Sequence, residues 1–420
     1  MNHDAVDISS KPQTMTNSTL TLFDPNPDSA VTCQQRPLRL EILGPLARPG
    51  AMELWRSVEE RLSNQRLMCS SVWTETWLKH YGSLVPHRFA VARRGDVCCG
   101  VALLTNGVNQ FDGPMPLRTW HLGTAGEPDA DSVCIEYNSL LVRDEDRTDF
   151  ARQLVTWIDS QSDCDQAHFD GFASDDIAPL LADNPKAVVT RKPSPYFDLR
   201  AAREAHVEPI ELLGAQTRAN LRRSMRKLGQ PTGEWAASAE RAEEMLHRMI
   251  ERHQARWNAV GEPGSYASRR FREFHLDLVH RLVPIGAMGM YRVSSPAGIL
   301  GCAQVFLDDN RALLYQSGWT PQPGNLSPGL VVDYLCLAEC QRRGFDQFDF
   351  MAGMSNYKRR LTTHEAELVW VTWRRPRLKF ALLDNLRWIK RTLAGMEESL
   401  RGEASSIPAV SALDSVENKK

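Results

Sequence analysis

The chain has 420 residues, 42% of them hydrophobic, so it is long enough for two or three domains with packed cores. Fifty basic residues against 52 acidic ones leave a net charge of −2, which excludes a global basic excess of the kind that binds nucleic acid. The nine cysteines show neither a C-x-x-C pair nor the Cys/His spacing of a zinc site, so we expect reduced thiols and a cytoplasmic protein. We expect no secretory signal and no transmembrane segment, and the oligomeric state is left open.

The first half begins with a polar tail. Residues 1–36 are rich in Ser, Thr, Asn, Asp and Pro and are predicted to be disordered, as are residues 401–420 at the other end. Between the tails the first predicted elements are a strand at 38–43, a helix at 52–62, a hairpin turning at Gly95-Asp96, a strand at 132–142, a helix at 149–161 and a short strand at 166–172.

The second half continues the alternation of helices and strands. Its predicted elements are helices at 239–257 and 268–282, strands at 285–293, 298–308 and 311–319, a helix at 327–344, and strands at 345–350 and 367–373. A basic helix over 376–398 is expected to pack on this half. Its apolar residues are expected to cover the sheet, or alternatively to touch a membrane surface; they are Phe380, Leu383, Leu386 and Ile389.

The two halves share one order of elements: helices, a meander, a helix, and a short strand ending in Asp and Gly, as in 168–172 and 347–353. This order predicts an α/β fold with a mixed sheet and flanking helices. We expect two tandem domains, at 37–203 and 204–378, followed by a C-terminal helix at 379–400. Two unrelated α/β domains are the other interpretation.

The segment 321–329 joins a predicted strand to a predicted helix. Ser327 is a plausible N-cap, Pro328 fits the first turn, and Gly329 would let a phosphate approach the backbone. Unpartnered N–H groups and the helix dipole make such a helix start an anion site, although simple capping explains the same residues. The strands on either side are predicted to lie parallel, and a gap between them would suit an extended, amide-containing chain such as pantetheine.

Several motifs resemble the GNAT superfamily, in particular the branch related to the CelD proteins of cellulose biosynthesis and to the FemABX fold. They are TRANLRRSMRKLG (217–229), HQARW (253–257), LSPGLVVDYL (326–335), FDFMAG (348–353) and YKRRL (357–361). The first half resembles the degenerate first domain of that group through SSVWTETWLKHYG (70–82). The resemblance implies tandem GNAT-like domains and a CoA-dependent N-acyltransferase that uses acetyl-CoA or another acyl-CoA and no metal.

The chain also departs from the family pattern. Asn325 to Gly329 supplies only part of the usual phosphate loop, which carries an Arg or Gln and two glycines. In the first half, Arg143-Asp144-Glu145 precedes the corresponding helix, and its carboxylates would repel phosphate. We therefore expect the first domain to be non-catalytic.

Asp349 and Tyr357 are the candidate catalytic residues. Asp349 ends a strand beside the predicted gap and would serve as a base or orienting group, or else simply form a turn. Tyr357 resembles the tyrosine that GNAT enzymes place near the CoA sulfur, where a phenol would protonate the thiolate; a core aromatic is the alternative. Contacts to the CoA are predicted for Asn325, Leu326, Ser327, Gly329, Leu330 and Lys358.

Two strands supply candidate acceptor-binding residues. Alternation along 298–308 places Leu300, Cys302, Gln304 and Phe306 on one face, where Gln304 is the polar member. Tyr315 and Ser317 are predicted to share one face of the next strand. These polar groups would line the acceptor site or lie at the sheet rim.

Two helical segments supply the remaining candidates. His253 and Trp257 are four residues apart and share a helix face, which would suit a sugar ring or a core Trp beside a boundary His. Arg218 belongs to the basic segment 217–229, which would hold the CoA ribose phosphate, an anionic glycan or RNA, or form a solvated face.

Three functions remain open at this stage. The first is a CoA-dependent N-acyltransferase whose amine acceptor is an amino sugar or a polysaccharide precursor, a class that the resemblance implies. The second is an aminoacyl-tRNA-dependent Fem-like transferase, which the basic segment 217–229 favours. The third is a non-catalytic GNAT-like partner in polysaccharide biosynthesis, which the incomplete phosphate loop favours.

Overall fold

The computed structural model describes residues 36–63, 66–182, 187–324 and 326–383, together with residues 385 and 392. The predicted tails at 1–36 and 401–420 lie outside the described residues apart from Arg36, and so does most of the predicted helix 376–398.

Most of the predicted strands are present, together with several strands that were not predicted. They are β1 (Leu38–Leu43), β2 (His87–Arg94), β3 (Val97–Asn106), β4 (Phe111–Asp112), β5 (Met115–Pro116), β6 (Thr119–Leu122), β7 (Leu141–Val142), β8 (Gln166–Ala173), β9 (Val188–Asp198), β10 (Thr232–Trp235), β11 (Met288–Ser295), β12 (Gly298–Asp308), β13 (Arg311–Trp319), β14 (Gln347–Asp349) and β15 (His364–Arg374).

Ten α-helices flank the sheet in the described part of the chain. They are α1 (Arg48–Glu59), α2 (Ser71–Tyr81), α3 (Arg147–Ser160), α4 (Ser174–Leu181), α5 (Leu199–Glu204), α6 (Ala215–Lys227), α7 (Ala239–Asn258), α8 (Arg269–Leu282), α9 (Pro328–Arg342) and α10 (Asn356–Leu361). Ser70, Ser238 and Ser268 each accept a hydrogen bond from a first-turn N–H group, so the side chain satisfies a donor that the helix leaves unpaired.

One mixed sheet runs through the whole molecule, in the order β1-β2-β3-β6-β8-β15-β9-β14-β13-β12-β11-β10. The order is symmetric about its centre, because each half contributes a meander and then one parallel pair, β6 with β8 and β13 with β14. The predicted α/β fold with a mixed sheet and flanking helices is confirmed.

The two halves exchange their last strands. β9, from the first half, pairs with β14, whereas β15, from the second half, pairs with β8. β9 and β15 then pair with each other in the middle of the sheet. The segment 188–198 therefore completes the sheet of the second half, although the predicted boundary at 203/204 assigns it to the first domain.

The predicted strand at 132–142 is wrong over most of its length. Only Leu141–Val142 is a strand, and the backbone φ angles of Cys134 and Tyr137 are 47° and 54°. Such left-handed residues cannot continue a strand. The apolar pattern reflects burial in an irregular segment that runs between the two halves.

The expected face of β12 holds for three of its four residues. Cys302 and Phe306 lie in the core beneath α7 and α8, and Gln304 contacts His275 of α8. Leu300 instead packs in the opposite core, beside α9, because the register with β11 shifts just before it.

The start of the C-terminal segment lies against the first half, not the second as expected. Phe380 and Leu383 are buried with Leu117 and partly buried Met115. Arg377 donates a hydrogen bond to the carbonyl oxygen of Cys164. Leu386 and Ile389 lie outside the described residues.

Candidate functional site

A gap opens between the two parallel strands of the second half. β13 pairs with β14 only from Arg311↔Gln347 to Leu313↔Asp349, after which β13 continues to Trp319 without this partner. The gap widens into a cavity of about 410 Å³ between β13 and the start of α9. We call it the β13 cavity; its wall includes Tyr315, Ser317, Ser327, Leu330, Asp333 and Tyr357.

Seven of the predicted site residues line the β13 cavity. They are Tyr315, Ser317, Leu326, Ser327, Gly329, Leu330 and Tyr357. Asn325 lies outside the described residues. The remaining predicted residues, which are Arg218, His253, Trp257, Gln304, Asp349 and Lys358, are not part of this wall.

Tyr315 and Ser317 do not share one face as expected. The Tyr315 ring packs against His275 and Phe306 on the α8 side, whereas the Ser317 hydroxyl lies on the α9 side, where it lowers the pKa of Asp333. The register between β12 and β13 shifts next to Tyr315, and this bulge reverses the alternation. The cavity therefore has a polar group on each side of the strand.

The start of α9 keeps its first N–H groups available. Ser327 precedes the helix but its side chain makes no capping hydrogen bond; its Oγ is instead 3.3 Å from Nδ2 of Asn220, which donates to it. A Cβ atom at Gly329 would lie 2.5 Å from Nε1 of Trp319, so packing of this indole, and not access for a phosphate, requires glycine here. The helix start still presents donors and its positive dipole to the cavity.

Asp333 is a functional candidate that sequence reasoning missed. It is 2% exposed, lines the cavity, and its Oδ1 has no hydrogen-bond partner among the described residues. Burial raises the pKa of Asp333 to about 7, although Ser317 and Arg256 act in the opposite direction. A carboxyl group with this pKa exchanges a proton near neutral pH and can act as a general base.

The signal for Asp333 was present in the sequence. α9 is buried almost all round, and Asp333 is the acidic residue among the apolar ones of its first two turns. A helix that is apolar on every face is buried, so a lone acid within it must be buried too.

Tyr357 faces Asp333 across the cavity wall. The residue is 43% exposed, and partial desolvation of the phenol together with the Asp333 carboxylate raises its pKa. Arg256 lines the same wall, and its guanidinium carbon lies 5.1 Å from the centre of the Trp319 ring. At neutral pH the site therefore offers a protonated phenol, a titrating carboxyl group and two cations, Arg256 and Arg360.

Asp349 is placed differently from the prediction. It is 1% exposed and accepts hydrogen bonds from the Tyr137 hydroxyl, from Ser194 Oγ at 3.1 Å and from the Met351 N–H at 2.6 Å. Burial raises its pKa, and these donors oppose the shift. The carboxylate thus joins residues 137, 194 and 351 beneath the cavity and does not face it.

Lys358 also closes a turn and does not contact the cavity. Its Nζ donates hydrogen bonds to the carbonyl oxygens of Met351 and Ala352, both at 3.0 Å. Burial lowers its pKa, while Glu136, Asp349 and Asp333 oppose this effect. The predicted phosphate contact would require these hydrogen bonds to break.

Gln304 lies inside the core. It is fully buried, accepts a hydrogen bond from the Tyr266 hydroxyl at 2.8 Å and contacts Nδ1 of His275 at 3.0 Å. Its polar groups are satisfied there, so it does not line an acceptor site.

His253 and Trp257 share a helix face as expected, but they bind each other. Nε1 of Trp257 donates to Nε2 of His253 at 2.9 Å, and burial lowers the pKa of His253. His253 is 2% exposed whereas Trp257 is 38% exposed. Only the indole is accessible to a ligand.

Arg218 anchors the start of α6. Its Nη1 donates to the carbonyl oxygens of Glu211 and Leu213 at 2.9 and 3.3 Å. Farther along the same helix, Asn220 and Arg223 line a second depression, which shares Arg360 with the β13 cavity. A polar and basic groove therefore adjoins the cavity next to the start of α9.

In the first half, the anion position at the start of α3 is occupied by a carboxylate of the chain. Asp146, which is fully buried, precedes α3 and forms ion pairs with Arg94 and Arg143. A carboxylate thus occupies the position where an anionic ligand would meet the helix dipole.

Among the residues that the structure describes, none of the helices combines the length and the apolar character needed to traverse a lipid bilayer.

Comparison with known proteins finds a family match in the second half. Residues 215–359 match the family model described as "Acetyltransferase (GNAT) domain". No curated protein sequence matches the chain. Among solved structures, FemX aligns with a TM-score of 0.53 at 11% identity, covering 79% of this chain and 98% of its own. At this identity the match shows a shared fold.

Two further structures align less closely. The C-terminal domain of a putative lysylphosphatidylglycerol synthetase from Agrobacterium fabrum has a TM-score of 0.48 at 12% identity, covering 80% of this chain and 96% of its own. A tandem GNAT protein from the clavulanic acid biosynthesis pathway has a TM-score of 0.39 at 12% identity, covering 80% and 98%. The segment that holds most of the β13 cavity, residues 215–359, is thus the part of the chain that matches the GNAT acetyltransferase family model.

Proposed function

We propose that the β13 cavity binds the acyl-pantetheine end of an acyl-CoA and transfers the acyl group to an amine. The observation that carries this proposal is the gap between β13 and β14, whose pairing stops after three residue pairs. Beyond that point the backbone of β13 faces the cavity without the β14 ladder. Unpaired strand groups can hydrogen-bond the amides of an extended chain.

The start of α9 is the proposed phosphate site. The Ser327 side chain accepts no hydrogen bond from the first N–H groups of α9, and the helix dipole favours an anion there. The adjoining groove at Asn220, Arg223 and Arg360 would receive the rest of the nucleotide. This arrangement supplies donors that the incomplete phosphate loop lacks.

The proton steps are assigned to the two groups that face each other in the cavity. The amine nitrogen attacks the thioester carbonyl carbon, Asp333 accepts the proton that the nitrogen loses, and the C–S bond breaks. Tyr357 donates its phenolic proton to the departing thiolate and regains one from solvent. Asp349 keeps a structural role in this scheme, because its oxygens are already engaged.

The acceptor is proposed to be the amine of an amino sugar or of a polysaccharide precursor. This class rests on the resemblance to CelD-like proteins. An exposed Trp257 and half-buried polar groups on β13 would suit a sugar.

Release of free CoA thiol tests the proposal. The whole chain is mixed with acetyl-CoA and glucosamine, and thiol is followed colorimetrically in the wild type, in Asp333→Asn and in Tyr357→Phe. Asp309→Asn, at an exposed position, is the matched control. Amine-dependent release that falls at least tenfold in the first two variants supports the assignment. Turnover that is unchanged in both would overturn it, and its absence with every amine tried would favour a non-catalytic partner role.

An aminoacyl-tRNA-dependent transferase is the second candidate. The fold shared with FemX and the basic surface of α6 favour it. Arg226 is exposed on that helix, whereas Arg222 is paired with Glu211. Salt-dependent tRNA binding that weakens in Arg222→Ala and Arg226→Ala would support this donor, and its absence at low salt would remove it.

A further inference from the structure

A second cavity lies in the first half, where the strand pair β6 and β8 corresponds to β13 and β14. It has a volume of about 350 Å³, and we call it the β6 cavity. Its wall carries two histidines and an aspartate, namely His121 on β6 and His168 and Asp170 on β8.

The strand register brings these three side chains together. β6 and β8 are parallel, and His121 lies directly opposite His168. Asp170 follows His168 by two residues, so both project from the same face of β8. Residues 121 and 168 are far apart in the sequence and show no metal-site spacing there, but the sheet brings them side by side.

The distances suit a metal ion. One potential ligand atom from each of the three residues lies within 4.8 Å of the other two. Nδ1 of His121 is 3.4 Å from Oδ2 of Asp170, which is long for a hydrogen bond. Two ligands about 2.1 Å from a tetrahedral Zn²⁺ lie about 3.4 Å apart, so this pair already has the spacing of a coordination shell.

Burial supplies an independent indication. His121 is 5% exposed, and its Nε2 is buried without a hydrogen-bond partner among the described residues. A buried polar atom without a partner is costly. One imidazole binds one ion through a single nitrogen, so the unpartnered Nε2 and the Nδ1 beside Asp170 are the two alternative ligand atoms of His121. His121 lines the cavity, so a bound ion with its water ligands would have room beside it.

We propose that His121, His168 and Asp170 bind one divalent first-row transition-metal ion. Two imidazoles and one carboxylate favour Zn²⁺, Co²⁺ or Fe²⁺ over Mg²⁺, which prefers oxygen ligands. Three protein ligands leave a coordination position toward the cavity, which also presents Glu127, Glu136 and Lys192. The site is separate from the β13 cavity and does not depend on the acyl transfer proposed there.

Metal titration of the whole chain tests this site. The protein is stripped with a chelator and titrated with ZnCl₂, CoCl₂ and MgCl₂, using calorimetry for each ion and visible absorption for Co²⁺. We expect one Zn²⁺ or Co²⁺ per chain, no comparable Mg²⁺ binding, and at least tenfold weaker affinity in His168→Ala and Asp170→Asn. His247→Ala, at a half-exposed position on α7, should bind as the wild type does.

If a substitution unfolds the chain, a measurement on the wild type alone still tests the proposal. X-ray absorption of the zinc-loaded wild type should show two imidazole ligands. Absence of stoichiometric zinc in the wild type, or binding retained equally in His168→Ala and Asp170→Asn, would overturn the proposal. Thiol release by the β13 cavity is measured separately with stripped protein, so failure of one proposal leaves the other distinguishable.

Discussion

Replacing Asp333 by Asn should stabilise the protein at alkaline pH and leave its stability little changed in acid. Burial raises the pKa of Asp333 from its ordinary value of 3.8 to about 7. The folded chain therefore holds a proton that the unfolded chain releases between these two pH values. The wild type has its full free energy of unfolding below pH 3.8. This free energy decreases as the pH rises from 3.8 to about 7, because the unfolded chain loses the proton first.

The magnitude follows from the shift. A difference of about three pH units at about 1.4 kcal/mol per unit gives about 4 kcal/mol as an upper value for the wild-type loss. The Asn side chain does not titrate, so the variant avoids the loss. The difference in unfolding free energy between variant and wild type should thus grow from pH 4 to about pH 7, at up to about 1.4 kcal/mol per pH unit, and level off above that pH.

Urea unfolding at several pH values measures this difference. Asp309→Asn serves as the control, since that residue is exposed, and its difference from the wild type should stay flat. A difference curve for Asp333→Asn that is equally flat between pH 4 and pH 8 would refute the raised pKa. The same variant should lose amine acylation, so stability and activity should change in opposite directions.

Three other substitutions have defined outcomes. Tyr357→Phe should reduce thiol release at least tenfold while acetyl-CoA affinity stays within twofold, because only the proton donor is lost; an equal loss of affinity would assign Tyr357 to binding. Gly329→Ala should destabilise the fold by about 1–3 kcal/mol, because the new Cβ would lie 2.5 Å from Trp319 Nε1. Gly214→Ala is the control, since no atom lies within 4 Å of the added Cβ. Equal urea midpoints for the two variants would contradict the packing argument. Tyr137→Phe should cost about 1–3 kcal/mol in urea unfolding, because Asp349 loses a buried donor; an unchanged midpoint would show that this hydrogen bond contributes nothing.

The sequence predicted the elements whose signals are local. The strands at 38–43, 298–308 and 311–319 match their predicted ends, and the parallel pairing of β13 with β14 is confirmed. Each has a continuous apolar pattern bounded by turn residues, so a short window contains the information.

β9 was missed because it depends on partners far along the chain. β9 contains Pro193 and Pro195 and an exposed first half, which argue against a strand in sequence terms. It forms because β14 and β15 supply hydrogen bonds from the other half of the molecule. The same distance in sequence conceals the pairing of His121 with His168.

Half of the predicted site residues line the β13 cavity, and the rest of those that the structure describes lie elsewhere. The helix start and Tyr357 lie at the cavity as expected, since their positions follow from the loop and from the resemblance. Asp349 was the predicted base and Asp333 was not predicted at all; we propose Asp333 as the base instead, because the oxygens of Asp349 already accept hydrogen bonds. Asp349 has donors from residues 137 and 194, which sequence alone does not bring near.

Calorimetric titration of the whole chain with acetyl-CoA tests the central claim most directly. The β13 cavity should bind one acetyl-CoA per chain, and Ser317→Trp, which fills the cavity from β13, should weaken that binding at least tenfold while the fold remains intact by circular dichroism. A folded wild type that gives no saturable heat with acetyl-CoA or with CoA would contradict the assignment of the cavity to an acyl-CoA.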